Sequence, residues 1–522
     1  MSRCLRGWLA HWAPTAALVA CAQAGGPWAH VGGDAARGGV RCGLVEPGGA
    51  AWTLSQTAGG DAIVFVGASP PIVMDGRVFA RAHVSGEPVV VAADARTGAF
   101  AWMTPTPDSS GGFLESWASL AGDAANGLVL VGVGSALYAL DAETGTVGWT
   151  TALQRSVVNA HPVVTDDLGA ADRVFITDFD GFGFEGRLYC VNVDAFDAAL
   201  NPHQPGDVVW SVAIGGTSGN TPAYADGVVY VASVGEAGFV PGELFAFDAT
   251  ADAPTELWRF SLGVAGVGVE GFFGGVSVRD GAVYAATYDF FGGQDAGTLV
   301  KLDASDGSLV WSAACNRTSS MPIALDDGRV VVSGGLDGFG SLPSVQVFDD
   351  LGSSAVMLWD SALDSWVDDG DGIVEAGEYV RMGGWTHQPV AFDSSAGMRL
   401  VVGAIAAGGQ ASGVQGELRV VDLGAQPGDA GFVVGDLVGG GGSAAVGYGF
   451  VYSVGAGGLT AFGPTFDRDL DRDGVVDVED LYMRRFVEPC RWDVNGDGVY
   501  DGGDDLEIRR GMPTQRDLGV RP

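Results

Sequence analysis

Residues Ser135–Trp149 read SALYALDAETGTVGW, and this stretch decides the fold. In an extended chain successive side chains point to opposite faces, so Leu137 and Ala139 share one face and Ala136, Tyr138 and Leu140 the other. Asp141 closes the strand, Thr144-Gly145 makes a turn, and Trp149 follows on the return strand. The Asp carboxylate is placed to take amide hydrogens of its own turn, and the glycine supplies the positive φ that the turn requires. A large flat ring on the return strand fills the gap to a neighbouring stacked sheet. Val89–Trp102 (VVVAADARTGAFAW) and Thr298–Trp311 (TLVKLDASDGSLVW) repeat the pattern. Trp52, Trp102, Trp149, Trp210, Trp258, Trp311 and Trp359 follow one another at intervals of 50, 47, 61, 48, 53 and 48 residues. Such a period, built of short strands and turns, reads as a β-propeller rather than a sandwich. The tryptophans are core residues in this reading, and none is given a cofactor role.

Eight inner-strand segments are counted: Pro71–Arg81, Gly127–Val133, Arg173–Asp178, Gly227–Ser233, Gly281–Thr287, Gly328–Gly334, Met398–Ala404 and Gly449–Gly455. The seventh unit runs on through the LRVVDL strand at Leu418–Leu423 and has no Trp, which keeps seven blades as the fallback. The last unit has no Trp strand after it, whereas Ala51-Trp52-Thr53-Leu54 is a Trp strand with nothing before it. Pairing the two closes a ring and removes both free sheet edges. The expectation is an all-β, eight-bladed propeller over residues 25–463.

Glycine supplies 85 of 522 residues without a G-X-Y period, which excludes collagen. With 47 % hydrophobic and 17 % charged residues the chain can bury a large core. Acidic residues outnumber basic ones 64 to 27, a net charge of −37, and such a surface repels phosphate backbones, so no nucleic-acid partner is expected. Residues 1–24 read as a signal peptide, with Arg3 and Arg6 before the apolar Trp12–Cys21 and a small-x-small site at Ala22-Gln23-Ala24. A rival cut at the lipobox-like Leu18-Val19-Ala20-Cys21 leaves a lipid anchor on Cys21. Beyond this leader no charge-free apolar run reaches the roughly 18 residues of a membrane span. The expected location is outside the cytoplasm: secreted, cell-surface or periplasmic. Cys42, Cys190, Cys315 and Cys490 are far apart, with no C-x-x-C, so zero, one or two disulfides all stay open.

After Gly463-Pro464 the chain turns dense in Asp and Arg. Asp469–Asp480 reads DLDRDGVVDVED and Asp493–Asp504 reads DVNGDGVYDGGD. Both place oxygen ligands at alternate positions so that they converge on one ion: Asp469, Asp471, Asp473, Asp477 and Asp480, then Asp493, Asn495, Asp497, Asp501 and Asp504, with Asp505 the alternative twelfth ligand. Gly474 and Gly498 allow the sharp turn, and the carbonyls of Val475 and Val499 complete each set. Carboxylates crowded this way repel one another by about 1 kcal/mol per close pair even in water, unless a divalent cation neutralises them. Two bound Ca²⁺ ions are expected. A weaker third loop lies inside the propeller, where Asp369, Asp371 and Glu378 stand at ligand positions but Val367 occupies the first. It reads equally as a calcium loop or an acidic turn.

The A-x-D-x-x-T-G-x-x-x-W pattern at Ala92–Trp102 and Ala139–Trp149, with Trp28–Arg37 ahead of the first blade, resembles the repeat of PQQ-like (quinoprotein-type) β-propellers. Its dehydrogenases imply pyrroloquinoline quinone on the axis, a calcium ion and a catalytic Asp. This chain has no adjacent cysteines and few of the wide insertions those enzymes use, so no PQQ is expected. Ser69-Pro70, Ser116-Trp117, Asn159–His161, Asn220-Thr221, Ser319-Ser320 and Trp385–His387 lead into the counted strands and would line the axis. His161, Asn220 and His387 are the polar candidates for a ligand there, against the plainer role of tying down strand ends. The paired loops, each followed by a short helix (Leu481–Val487 and Leu506–Arg510), resemble a type I dockerin over 467–515, which implies docking to a cohesin-like partner. At 464–522 a small helical, calcium-loop domain is therefore expected. The favoured function is an exported, non-catalytic interaction scaffold. A PQQ-dependent dehydrogenase and a carbohydrate- or peptide-binding surface propeller are the alternatives.

Overall fold

The turns of each repeat carry out what its sequence prescribes. Asp141 Oδ1 accepts the amides of Glu143 and Thr144 at 3.1 and 2.7 Å and the Thr144 hydroxyl at 2.8 Å, and Gly145 follows at φ +74°. Asp94 and Asp303 anchor equivalent turns. At the same end of the sheets, Asp75-Gly76, Asp226-Gly227 and Asp280-Gly281 have positive φ at both residues, the hairpin geometry that matches strand twist.

The computed structural model describes residues 28–463, apart from 46, 67–68, 108–117, 182, 236–240, 264–269, 290–291, 376, 395, 404–415 and the side chains of 41–44. The segments expected to form an export leader with Cys21, calcium loops at 469–480 and 493–504 and short helices after them lie outside the described residues. Among the described residues no helix is long and apolar enough to cross a membrane.

Eight sheets follow one another along the chain, so the architecture is the eight-bladed propeller and not the seven-bladed fallback. Seven of the eight segments counted from sequence as inner strands are in fact the second strand of their blade, and Pro71–Arg81 takes in both the innermost strand and part of the second. Ahead of each second strand runs a shorter innermost strand: Ile72–Met74, Leu120–Asp123, Val163–Val164, Ala223–Ala225, Ser277–Arg279, Ile323–Ala324, Val390–Ser394 and Ala444–Gly447. In blade 2 the single element Leu128–Asp141 serves as two strands, pairing first with Leu120–Asp123 and then, past Gly134, with Val147–Val157. Blade 8 is completed by Ala50–Leu54, which pairs antiparallel with Gly458–Phe462 and sets Trp52 opposite Ala461. The ring is thus closed by its two ends.

The tryptophans join neighbouring blades. Trp52, Trp102, Trp210 and Trp258 donate Nε1–H to the carbonyls of Ala95, Ala142, Ala251 and Ala304 in the next blade at 2.9–3.2 Å. Trp311 donates to Asp350 Oδ1 at 2.9 Å. Full burial of a large apolar side chain is worth roughly 1.5–3 kcal/mol, and the hydrogen bond spares the indole an unpaired buried donor. Trp149 lies in the same position but its Nε1 has no partner among the described residues, because blade 3 replaces the tight turn with a longer connection between Gly186–Asn192 and Val208–Gly215. Blade 7 has no Trp of its own, and Trp359 of blade 6 meets its Phe432 edge-on at 5.4 Å.

One feature was not legible in the repeats. The N-terminal thread visits the innermost strands in blade order before it reaches Ala50–Leu54. Trp28 bridges Val73, Ala29 O accepts from Gly122 N at 2.7 Å, and His30 Nε2 accepts from Val164 N at 3.1 Å. Ala35 O and Ala36 O accept from Tyr224 N and Val278 N at 2.8 Å. Gly39, at φ +68°, leaves no room for a Cβ beside Ile323 of blade 6, and its carbonyl accepts from Ala391 N at 2.8 Å. Val40–Leu44 then adds a parallel strand to Val390–Ser394.

Candidate functional site

The segments leading into the innermost strands converge at the other end of the axis and line a small, partly open cavity. Pro70, His161, Thr221, Ser319, Gln388 and Ser443, from six different blades, line it. Gly275 supplies the wall from blade 5, where a Cβ would come within 2.8 Å of both Met321 and Thr221. Its interior has room for about one water molecule.

Most of the polar atoms around it are engaged with one another. Thr221 Oγ1 accepts from His161 N at 3.1 Å and donates to Gly219 O at 3.2 Å. Gln388 clamps Met321 through both amide atoms, at 2.9 and 3.1 Å, and its backbone amide donates to Ser443 Oγ at 2.8 Å. His161 Nδ1 accepts from Ser119 N at 2.7 Å. Ser319 Oγ is buried with no partner among the described residues. Below this layer the thread sends up Arg37, fully buried, whose guanidinium donates to the carbonyls of Pro162 and Pro222 at 2.8 and 3.1 Å and reaches His161 O at 3.5 Å.

Burial pushes the Arg37 guanidinium down to about 9, against the support of Asp34. Burial, and then the charges of Arg37 and Arg81, holds the His161 imidazole well below its ordinary value. His161 is therefore a neutral ring fixed as an acceptor. Among the described residues no carboxylate lines the cavity.

Of the three axial candidates only His161 borders the cavity. Asn220 is buried behind it, with Oδ1 accepting from Ser218 N at 2.7 Å and Nδ2 donating to Phe272 O at 2.6 Å. His387 is buried with Nδ1 3.1 Å from Gly383 O, and burial depresses it to about 4. Pro70, Thr221, Ser319, Ser320 and Thr386 belong to segments expected at the axis, whereas Gly275, Gln388 and Ser443 were missed. Ser116-Trp117 falls outside the described residues.

A tricyclic, tricarboxylated quinone needs a site of several hundred Å³. A cavity with room for about one water, backed by an interlocked layer of side chains, does not fit it.

A second cluster stands in the long connection after Trp359. Asp360 caps the short helix Ser361–Asp364 by accepting from Ala362 N at 2.8 Å. Beyond it Asp368, Asp369, Asp371 and Glu378 bring one carboxylate oxygen each within 4.8 Å of one another. Asp368 was not named from the sequence, because the loop template assigns the first ligand position to Val367. Backbone amides aim these groups: Gly370 and Gly372 donate to Asp368, and Asp369 and Glu375 to Glu378. These hydrogen bonds hold the Asp368 and Glu378 carboxyls below their ordinary values.

No curated protein matches the chain. A PQQ-type family profile, described as outer membrane protein assembly factor BamB, matches residues 108–182 and 241–427, together half of the chain. A europium-containing methanol dehydrogenase superposes with a TM-score of 0.55 at 12 % identity, over 95 % of this chain and 98 % of that one. A quinohemoprotein alcohol dehydrogenase from Pseudomonas putida HK5 gives 0.53 at 13 % identity, over 86 % and 78 %. BamB from Moraxella catarrhalis gives 0.49 at 16 % identity, over 81 % and 98 %. At such identities the likeness to the two dehydrogenases is one of fold, and chemistry has to be argued from the site itself.

Proposed function

This chain belongs to the BamB-type family of PQQ-like β-propellers, and on that premise we propose that it is an exported, non-catalytic scaffold for protein–protein interaction. The observation that carries the proposal is the axial cavity. Where the alternative requires a broad quinone pocket with a carboxylate base, the axial cavity formed by the described residues has space for about one water and a lining without carboxylates. The dehydrogenase neighbours share the ring of blades, and a ring of blades hosts many unrelated activities.

The interaction surface is built in two parts. The rigid ring presents loops of several blades on one face, and residues 464–522 act as a dockerin-like module that orders around two Ca²⁺ ions and docks to a cohesin-like partner. Export through the leader, with or without lipidation at Cys21, places both outside the cytoplasm, where millimolar calcium suits weak carboxylate loops. The loop at 368–378 takes a third ion. Its oxygens lie within 4.8 Å of one another, the span expected across one Ca²⁺ with ligands at about 2.3–2.6 Å. The carbohydrate- or peptide-binding alternative has no comparable support from the described residues.

The full-length protein, immobilised, is to be incubated with extracts of a cohesin-bearing organism in calcium and in chelator. In parallel it is mixed with PQQ, Ca²⁺ and a redox dye over a panel of alcohols. Calcium-dependent capture of a cohesin-like protein without dye reduction is the expected result. Reproducible PQQ-dependent turnover would overturn the scaffold reading.

A further inference from the structure

Among the described residues, the buried charge on the axis has no buried carboxylate to answer it. Every hydrogen bond of the Arg37 guanidinium ends on a backbone carbonyl, at Val31, His161, Pro162 and Pro222. Asp34, the carboxylate whose field supports it, is solvent-exposed. Carbonyl dipoles satisfy the donors of a buried cation but leave its charge uncompensated.

One residue from Pro162 and Pro222, His161 and Thr221 enter the cavity wall beside Ser319 and Ser443. Three groups there hold a proton for which the described residues supply no acceptor. Ser319 is 8 % exposed and its Oγ is unpartnered. Ser443 Oγ is used as an acceptor by Gln388 N, which leaves its own hydrogen free. His161 accepts from Ser119 N through Nδ1, so the neutral ring carries its proton on Nε2. Donors without acceptors, a size of one atom and no carboxylate in the described lining together mark an anion site.

We infer that the propeller axis holds a single monatomic anion, a halide, in the cavity lined by His161, Thr221, Ser319 and Ser443, as counter-charge to Arg37. A water molecule would satisfy the donors but not the charge, and a polyatomic anion such as sulfate exceeds the space. A cation would meet hydroxyl hydrogens and the field of Arg37 and Arg81, the same field that disfavours protonation of His161. The overall charge of −37 opposes anion binding. Screening over a Debye length of about 8 Å nevertheless leaves a buried site governed by its near neighbours.

Crystals of the full-length protein grown with bromide in place of chloride test this at the bromine absorption edge. One anomalous peak between Ser319 and Ser443 is expected; an ordered water there with no peak would overturn the inference. In solution, melting is followed while chloride replaces gluconate at constant ionic strength. The native protein is expected to gain about 2 °C or more, and Ser319→Ala to lose at least half of that gain. Equal gains in both proteins would count against the site.

Discussion

The indole of Trp258 in blade 4 lies so close to Gly307 in blade 5 that a Cβ at position 307 would come within 2.5 Å of the ring. Gly307 also has φ +71°, and the carbonyl of nearby Ala304 receives the indole N–H at 2.9 Å. Sequence proximity between Thr-Gly or Asp-Gly and Trp within one repeat thus encodes a contact between two repeats: each glycine serves the tryptophan of the blade before it. Trp52 on Gly98 and Trp102 on Gly145 repeat the arrangement.

Gly281 offers a matched control in the same blade, with φ +74° and nothing within 4 Å of the place a methyl group would take. Gly281→Ala is expected to cost about 1 kcal/mol from left-handed backbone strain alone. Gly307→Ala is expected to cost about 1–3 kcal/mol more, because the methyl must displace a packed indole. Urea unfolding midpoints of the two variants measure the difference, and equal midpoints would remove the indole contact from the account.

Acid stability tests the axis. His30 and His161 are held well below 6.5 by burial and then by Arg37, with Arg81 adding to the second, and burial lowers His387 to about 4. The unfolded chain therefore takes up protons first, near pH 6.5, and stability falls as pH drops from there towards the folded values. For His387 alone the loss by pH 4 is on the order of 3 kcal/mol. Asp123, Asp172, Asp178 and Asp360, raised by burial, act in the opposite direction, but only where carboxyl groups titrate, so the range just below 6.5 reads the histidines. Melting temperatures should drop between pH 7 and 5.5. The slope should flatten in His30→Gln, whose amide oxygen can still accept from Val164 N; an unchanged slope would exclude His30.

The ring was legible because its signal lies in side chains: the Asp turn, the glycine and the tryptophan recur where the blades do. The innermost strands were not, because some have only two residues, such as Val163–Val164 and Ile323–Ala324, too short for an alternation to show. The thread from Trp28 to Gly39 escaped for a different reason. Ala29, Ala35, Ala36 and Gly39 act through backbone carbonyls, which any residue supplies. At the axis, Gln388 and Ser443 were missed because their roles depend on neighbours 55 or more residues away, Gln388 on Met321 and Ser443 on Gln388. Asp368 shows the limit of templates, since a carboxylate one position away from the expected ligand reaches the same cluster.

The structure also narrows the disulfides. Cys190 and Cys315 are free and buried in blades 3 and 5, and burial raises both thiols above their ordinary value. Native protein should therefore leave both unlabelled by a thiol reagent that reacts as thiolate, with full labelling in denaturant. Peptide mapping without reductant of protein lacking residues 1–24 should find at most one bridge, Cys42–Cys490. A bridge that includes Cys190 or Cys315 would contradict the buried placements.

Calcium stoichiometry separates the third loop from the two at the C-terminus. Glu378 is the pivot: its Oε1 accepts from Asp369 N at 2.7 Å and its Oε2 from Trp366 Nε1 at 3.0 Å, so one side chain closes the loop and faces the other three carboxylates. Four negative groups this close repel one another unless a divalent ion neutralises them. Calorimetric titration of the full-length protein should therefore give three ions, and Glu378→Gln two. The variant keeps the hydrogen-bond acceptor and the loop's shape but removes one unit of charge and a bidentate ligand. Asp371→Asn should retain the third site with weaker affinity, since an amide oxygen still coordinates. Two ions in both native protein and Glu378→Gln would show that backbone amides alone hold the carboxylates together, and the cluster would then be an acidic turn.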